Sequence, residues 1–219
     1  MPGASGDWAI NHGACDNPLW RGREPLILAS KSASRRALLE AARIPVEIAS
    51  IDVDERALEA EAVARGAWPA AIALDLARAK ALAGSAKNPG RLVIGADQTL
   101  ALGDERFHKP EDRTAARAQI AHLAGKRHSL HSALAVALDG AFLFETAQSA
   151  HLTMRPLDDA ALDAYLDAAG DAVLSSVGGY QLEGLGIHLF ETVEGDHAVI
   201  LGLPLLPLLG FLREHGDLL

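Results

Sequence analysis

The sequence predicts an α/β protein, because short apolar segments alternate with alanine-rich amphipathic segments along most of its 219 residues. Glycine, proline and aspartate stand between these segments, where strands and helices are expected to end. The length is sufficient for one domain with a substantial core. We therefore expect a single domain over residues 25–219, preceded by a flexible extension over residues 1–24 that is rich in Gly, Asn, Asp and Pro.

The strands of the first half are predicted by apolar runs. Leu26–Ala29 is expected to form a buried strand, and Val46–Ser50 a second one. Between them, ALLEAA predicts a helix at about Arg35–Arg43. The run RLVIGADQTLAL, Arg91–Leu102, is the strongest strand candidate in the chain. These alternating elements carry the α/β prediction.

The helical segments are bounded by proline, glycine and acidic residues. Residues 56–83 are predicted to be helical, with Pro69 in the first turn of a second helix, because proline has no backbone N–H to donate inside a helix. Gly84 and Ser85 are expected to end that helix. Another helix is predicted after KPED, with Gly125 just past its end.

The second half alternates strands with glycine-containing turns. HSALAVAL and AFLFETAQSAHLTMR predict two strands joined by a hairpin turn at Asp139 and Gly140. DDAALDAYLDAA predicts a short amphipathic helix that ends at Gly170. GIHLFETVEG and HAVILGL predict further strands, and a leucine-rich helix is expected after Pro204.

Charge and cysteine content exclude several classes of protein. The net charge of −9 argues against a general nucleic-acid or anionic-membrane binder, although a local cluster of cations could still hold a small anion. The single cysteine, Cys15, excludes an internal disulfide and favours a reducing, cytoplasmic compartment. Neither a transmembrane-length apolar run nor a signal-peptide pattern is present in the sequence.

The turn after the first strand gathers three hydroxyls and three cations in the run SKSASRR. A helix N-terminus offers free N–H groups and a positive dipole end, so Ser30, Arg35 and Arg36 could hold a phosphate or carboxylate there. Two arginines in a first helical turn oppose the dipole unless an anion is bound. A serine-capped surface helix with solvated arginines explains the same residues equally well.

Carboxylates follow two of the predicted strands. Asp97 follows the apolar run LVIG and could bind a divalent cation or accept a proton from water, although a structural aspartate on an edge strand is the simpler reading. The run Asp52-Val53-Asp54-Glu55 resembles the start of haloacid-dehalogenase-type phosphotransferases. A solvated acidic turn is the alternative interpretation of the same residues. Lys80 and Lys109 each add a cation near an apolar element and carry little weight singly.

The segment GGYQLEGLG, residues 178–186, places four glycines in an otherwise apolar stretch. Glycine permits close approach of backbone to a ligand or to another strand, and a plain connection between strands is an equal alternative. The segment is not a dinucleotide-binding fingerprint, because it neither follows a clear strand nor opens a helix.

Taken in order, SxSxxRR, LARAKA, VIGADQ, KP, GGYQLEGLG, LFE, EGD and GLPL resemble the Maf family of nucleoside triphosphate pyrophosphatases, from Leu26 to about Gly216. The resemblance implies an elongated mixed sheet flanked by helices, with two lobes around a deep cleft, and often a homodimer. It implies hydrolysis of the α–β phosphoanhydride of a nucleoside triphosphate, as a house-cleaning activity, with a divalent cation (Mg²⁺, Mn²⁺ or Co²⁺). Neither nucleic acid nor a membrane is an expected partner.

The resemblance also implies roles for individual residues. Ser30, Arg35 and Arg36 would bind substrate phosphates, and Lys80 and Lys109 would add positive charge as catalytic residues. Glu55 and Asp97 would hold the metal, and Asp97 would also accept the proton of the attacking water. Each of these residues is ordinary in isolation, so the assignments depend on the family resemblance.

Substrate choice follows from three further positions in the resemblance. Ser34 before the arginines, Gln98 after the aspartate and Glu183 in the glycine-rich segment resemble the branch that prefers 7-methyl-GTP. A carboxylate at Glu183 could accept from guanine N1–H and the exocyclic amine. Ala33 and Ser34 depart from that branch, which usually has proline followed by a bulky residue.

Two alternatives remain at this point. A haloacid-dehalogenase-like phosphatase would use Asp52 as its nucleophile and release phosphate instead of pyrophosphate. A regulator of cell division and septum formation would bind the nucleotide without hydrolysing it. The identity of the released product separates these three functions.

Overall fold

The computed structural model describes residues 17–219, and in this part of the chain seven strands form one mixed sheet with helices on both faces. Cys15 and residues 1–16 of the predicted extension lie outside the described residues. The strands are β1 (Leu26–Ala29), β2 (Val46–Ile48), β3 (Val93–Leu102), β4 (Glu105–Phe107), β5 (Arg127–Leu138), β6 (Ala141–Met154) and β7 (Phe190–Glu194). The α-helices are α1 (Ala33–Ala41), α2 (Glu55–Ala64), α3 (Pro69–Lys87), α4 (Arg113–Leu123), α5 (Asp159–Ala169), α6 (His197–Ile200) and α7 (Leu205–His215). The predicted α/β class with a mixed sheet is confirmed.

The sheet has the order β2-β1-β3-β5-β6-β7. Strand β1 runs parallel to β2 and β3, and the pairs β3–β5, β5–β6 and β6–β7 are antiparallel. Strand β4 folds back on the end of β3, on the edge that faces β1. That edge of β3 is therefore paired to β1 at Val93–Gly95 and to β4 at Leu100–Leu102, and residues 96–99 between them carry no strand partner there within the described chain. Within this gap Ala96 and Thr99 are buried, whereas Asp97 and Gln98 are only partly buried.

One face of the sheet is covered by α3 through very small side chains. Alanines of the helix, at 73, 77 and 81, pack on alanines of β5, at 133, 135 and 137. A Cβ on Gly95 would lie 2.1 Å from the backbone oxygen of Ala77, so only glycine permits this approach. The high alanine content of the sequence thus brings α3, with Lys80, close against β3.

The opposite face carries two apolar clusters with polar residues between them. One cluster joins β1, α1 and α7, and the other joins α4, α5 and the ends of β3, β5 and β6. On β3 the side chain of Gln98 lies between Ala96 of the first cluster and Leu100 of the second. Gln98 Nε2 donates to Ser132 Oγ at 2.9 Å, so a polar pair separates the two clusters.

Several element boundaries differ from the predictions. Helix α3 continues through Gly84 to Lys87, because a Cβ at Gly84 would lie 2.6 Å from Val93 Cγ1 and the glycine permits close packing without ending the helix. Helix α1 begins at Ala33, two residues before the predicted start, since Ser32 caps it. Strand β2 ends at Ile48 and not at Ser50, and β4 was not predicted.

The prediction of a strand for HAVILGL is wrong. His197–Ile200 forms α6, whose N-terminus is capped because the Asp196 carboxylate accepts from the N–H groups of Ala198 and Val199. Val199 and Ile200 are buried in the core, and a short apolar run does not by itself distinguish a strand from a helical turn.

Residues 17–24, which belong to the predicted extension, lie against the C-terminal segment. Trp20 forms a β-bridge with Leu218, and the Arg21 N–H donates to the Asp217 carbonyl at 2.8 Å. The predicted domain start at residue 25 stays a prediction. Within residues 17–219, none of the helices combines the length and apolar character that crossing a membrane requires.

Candidate active site

A cavity of about 490 Å³ opens at the gap along β3, beyond the end of β1. Its walls come from the β1–α1 turn, the start of α2, the middle of α3, the loop after β4, residues 175–183 and the end of α6. The cavity therefore gathers segments that are distant in the sequence. The predicted site residues that line it are Ser30, Ser34, Arg35, Glu55, Lys80, Asp97, Gln98, Lys109 and Glu183.

The centre of the cavity is an ion-paired group of three side chains. Lys80 Nζ donates to Asp97 Oδ1 at 2.7 Å and forms an ion pair with Glu55 Oε1 at 3.1 Å. The side chains of Lys80 and Asp97 are only 10% and 13% exposed, whereas that of Glu55 is 53% exposed. The structure thus joins the LARAKA motif, the GADQ motif and the acidic run in one group, which no local pattern could show.

Local structure explains why these three side chains meet. Lys80 lies in the middle of α3, which packs closely on β3, and Asp97 lies in the unpaired stretch of β3. Glu55 is the first residue of α2, because Asp54 caps that helix by accepting from the Ala57 N–H at 3.0 Å. The acidic run therefore supplies one cap and one cavity carboxylate.

Arg35 is buried and ties the cavity wall together. Its Nε donates to the Gly202 carbonyl at 2.8 Å, and its Nη1 donates to Ser30 Oγ and to the Ala96 carbonyl, each at 2.9 Å. Burial lowers the pKa of the Arg35 guanidinium from its ordinary value, and the negative charges of Asp97 and Glu55 act in the opposite direction. A guanidinium stays charged at neutral pH, so Arg35 is a fixed positive charge beside the gap in β3.

Arg36, by contrast, is not among the residues that line the cavity. It is exposed on α1, and its Nε pairs with Glu40 Oε1 at 2.6 Å. Lys31, from the same turn, does line the cavity and was not among the predicted site residues. The sequence feature that could have indicated Lys31 as a cavity residue is its position between two serines, in the turn that leads from β1 into α1.

Lys109 reaches the cavity from the loop between β4 and α4. Its side chain is exposed, and it has neither a hydrogen-bond nor an ion-pair partner within residues 17–219. Lys109 is therefore a cation that a bound anion could engage without displacing another group.

The predicted specificity residues Ser34 and Glu183 meet although 149 positions separate them. Ser34 Oγ donates to Glu183 Oε1 at 3.2 Å at the rim of the cavity. Gln98 differs from them, because its Nε2 is directed at the carbonyls of Val199 and Ile200, at 3.1 and 2.9 Å. Its amide group thus holds α6 against β3.

The glycine-rich segment, residues 178–186, forms the cavity wall around Glu183 and is hydrogen-bonded to the core. Gly178 and Gly179 have φ values of 80° and 74° within the 3-10 helix Val177–Gly179, and a second 3-10 helix, Leu185–Leu189, follows Glu183. The Tyr180 hydroxyl lies 2.7 Å from His128 Nε2 in the core, and Tyr165 donates to the Gly179 carbonyl at 3.1 Å. Burial lowers the pKa of His128 to about 4 and raises that of Tyr180.

The carboxylates of Glu55 and Asp97 are the candidate metal ligands. No group of three or more His, Cys, Asp or Glu side chains is arranged to hold a metal among residues 17–219. Mg²⁺ in nucleotide-dependent enzymes is typically held by one or two carboxylates together with substrate phosphates. Two carboxylates that share one ammonium group in a nucleotide-sized cavity fit that donor set.

Asp52, the nucleophile of the alternative phosphatase, is exposed in the loop before α2 and is not among the cavity-lining residues. Lys80 pairs with Glu55 and Asp97 and has no bond to Asp52. The structure therefore does not place Asp52 where it could share the cavity's cations.

Comparison with known proteins shows what this chain is similar to. The family model described as Maf-like protein matches residues 25–215. The nucleoside triphosphate pyrophosphatase of Bradyrhizobium diazoefficiens is 58% identical over 197 residues, which are 90% of this chain and 96% of that protein. That of Rhodopseudomonas palustris (strain HaA2) is 56% identical over the same shares of both chains. The 7-methyl-GTP pyrophosphatase of Brucella abortus biovar 1 is 54% identical over 190 residues, covering 87% of this chain and 96% of that protein.

Proposed function

Because this chain belongs to the Maf family, we propose that it is a nucleoside triphosphate pyrophosphatase. It hydrolyses the α–β phosphoanhydride bond and releases a nucleoside monophosphate and pyrophosphate. The observation that carries the proposal is the group formed by Lys80, Asp97 and Glu55, which combines a proton acceptor and fixed positive charge in one cavity. Relatives that cover most of this chain carry the same activity in their names.

Asp97 is proposed to accept the proton of the attacking water. As the water oxygen bonds to the reacting phosphorus, its proton passes to the Asp97 carboxylate, and the pyrophosphate group leaves with the electron pair of the broken P–O bond. Lys80 holds the carboxylate in place through its 2.7 Å bond and offers positive charge to the reacting group. Catalysis by position and charge is what phosphoryl transfer mainly requires.

A divalent cation is proposed to be held by Glu55 and Asp97. When bound, such a cation lowers the pKa of its water ligand and neutralises phosphate charge. When the cation is bound, the carboxylates of Glu55 and Asp97 would interact with it as well as with the Lys80 ammonium group. Pyrophosphate release measured with Mg²⁺, Mn²⁺ and Co²⁺ in turn identifies the preferred cation.

Phosphate binding is assigned to Ser30, Arg35 and Lys109. Arg35 is already oriented by three bonds, so it supplies charge without losing side-chain entropy on binding. Arg36 can take its predicted part only if it leaves Glu40.

The proposed substrate is a guanine-type nucleotide, with 7-methyl-GTP as the leading candidate. Glu183 would accept from the base edge, and Ser34 would fix the position of its carboxylate through their hydrogen bond. Gln98 would act indirectly by holding α6. The name of the Brucella relative supports the same substrate, and the names of other relatives leave the base unspecified.

The test is a panel of ordinary and methylated nucleoside triphosphates, assayed for pyrophosphate and phosphate release with Mg²⁺, Mn²⁺ and Co²⁺ in turn. We expect pyrophosphate as the first product and the highest kcat/KM with 7-methyl-GTP. Phosphate as the first product would contradict the proposal and favour the phosphatase alternative, and nucleotide binding without turnover would favour the regulator. Two further family expectations, a homodimer and a cytoplasmic location, are checked by sedimentation and by fractionation of cells.

A further inference from the structure

The cations of the cavity differ in how far other groups already engage them. Lys80 is paired with two carboxylates, and Arg35 is bonded to a hydroxyl and two carbonyls. Lys31 and Lys109 are exposed, line the same cavity and have no ion-pair or hydrogen-bond partner in the described part of the chain. These two lysines are therefore the cavity cations that an incoming anion can bind without breaking an existing contact.

The position of Lys31 places it among groups suited to phosphate. It lies between Ser30, whose hydroxyl accepts from Arg35, and Ser32, which caps α1 by accepting from the Arg35 N–H. The positive end of the α1 dipole points at this turn. An exposed lysine here opposes the dipole, a local cost that a bound anion would remove.

The other exposed cation of this region shows the contrast. Arg36 does not line the cavity, and it is paired with Glu40, one helical turn later on α1. Within residues 17–219, Lys31 has no such neighbour. The lining as a whole carries four cations and three carboxylates, so it is close to neutral, and its free positive charge resides on Lys31 and Lys109.

We propose that Lys31 is a substrate-binding residue that contacts the phosphate chain of the nucleoside triphosphate, and that it contributes there the charge which Arg36, paired with Glu40, does not. This inference rests on the proposed function, because it takes the cavity to be the nucleotide site. Lys31 and Lys109 approach the cavity from separate loops, after β1 and after β4, and together they engage an anion that carries several negative charges.

The experiment compares Lys31→Gln, Lys31→Arg and the control Lys87→Gln, which removes the same charge from an exposed lysine at the end of α3, outside the cavity. KM and kcat are measured for pyrophosphate release from 7-methyl-GTP and GTP. We expect Lys31→Gln to raise KM about ten-fold, since one charge-assisted contact to a phosphate is lost. Lys31→Arg should stay within about three-fold of the parent, because it keeps the charge.

A second measurement is independent of turnover. Calorimetry with inorganic pyrophosphate reports binding at the cavity whether or not any nucleotide is hydrolysed. We expect Lys31→Gln to weaken this binding about ten-fold, to reduce its dependence on salt, and to leave thermal unfolding unchanged. A protein that hydrolyses nothing in the panel but shows this loss of pyrophosphate binding would contradict the proposed function and retain the phosphate contact.

The inference is overturned by either of two results. If Lys31→Gln binds pyrophosphate and triphosphate within two-fold of the parent, Lys31 does not contact phosphate. If Lys31→Arg or Lys87→Gln is impaired as much as Lys31→Gln, the effect comes from the turn or from net charge and not from a specific contact.

Discussion

Replacing Asp97 by asparagine tests the central assignment, because the change removes a carboxylate while keeping the size of the side chain. Asparagine cannot accept a proton from water at neutral pH, and losing a positioned general base typically costs about 10²–10⁴ in rate. We therefore expect kcat for pyrophosphate release to fall by about 10²–10⁴. Nucleotide binding measured without added divalent cation should stay within a few-fold, because Ser30, Arg35 and Lys109 are unchanged.

The structural cost of the same change can be worked out from the contacts. Lys80 and Asp97 are nearly buried and 2.7 Å apart, so complete loss of one partner would cost about 3–5 kcal/mol. The asparagine oxygen still accepts from Lys80, and Glu55 still pairs with it at 3.1 Å, which reduces the expected cost to about 1–2 kcal/mol. For a chain of this size the unfolding temperature should fall by about 2–8 °C.

The assay combines pyrophosphate release, nucleotide binding by calorimetry and thermal unfolding, with Asp75→Asn as the matched control. Asp75 is on the same helix as Lys80 but pairs with Arg65 and Arg78 outside the cavity. Its replacement should leave kcat unchanged. An Asp97→Asn protein that keeps kcat within ten-fold of the parent would refute the role of Asp97 as proton acceptor, and equal losses in both variants would refute a local effect.

Three other predictions concern packing, specificity and pH. Gly95→Ala should destabilise the protein by about 1–3 kcal/mol in urea unfolding, because the new Cβ would lie 2.1 Å from a backbone oxygen of α3. Gly210→Ala, in an open part of α7, should be neutral or stabilising, and the reverse order would contradict the packing argument. Glu183→Gln should lower the ratio of kcat/KM for guanine over uracil nucleotides about ten-fold, and Ser34→Ala by less, since Ser34 only orients the carboxylate; an unchanged ratio in both would remove them from base recognition. Burial lowers the pKa of His128 from its ordinary value of 6.5 to about 4. As the pH is lowered from 6.5 to 4, the unfolded state therefore binds the proton before the folded state does, and the free energy of unfolding decreases. His128→Gln should reduce the loss of unfolding free energy between pH 7 and pH 5 by about 2 kcal/mol, and an identical pH dependence in both proteins would place the titrating group elsewhere.

The sequence predicted the elements with strong local signals. The strand at Leu26–Ala29, the hairpin turn at Asp139 and Gly140, and the helix ending before Gly170 all occur as expected. The predictions from sequence were wrong where one local pattern is compatible with two structures. The sequence predicts a helix stop at Gly84 because glycine commonly ends helices, but in this fold Gly84 permits α3 to pack on Val93. The apolar run HAVILGL predicts a strand but forms α6, because so short a run carries no clear period.

The candidate site divides in the same way. The motif order implies, through the family resemblance, that Lys80 and Asp97 belong to one site with the SKSASRR turn. All of them line one cavity, whereas the ion pair between Lys80 and Asp97 was not predicted. The same turn did not reveal which of its cations faces the cavity, because that depends on where α1 begins and on whether Glu40 is within reach. Lys31, which lines the cavity, is therefore not among the predicted site residues, and Arg36, which is among them, does not line it.

The sequence by itself determined the α/β class and the family, and it predicted the candidate site residues, because periodicity, turn chemistry and motif order can be read along the chain. Only the tertiary structure decided that β4 leaves residues 96–99 of β3 open, that Ser34 meets Glu183, and that α6 is held by Gln98. These contacts join segments separated by up to 149 positions. Their formation depends on how closely whole helices and strands pack, and the close packing of α3 against Gly95 is what brings Lys80 to Asp97.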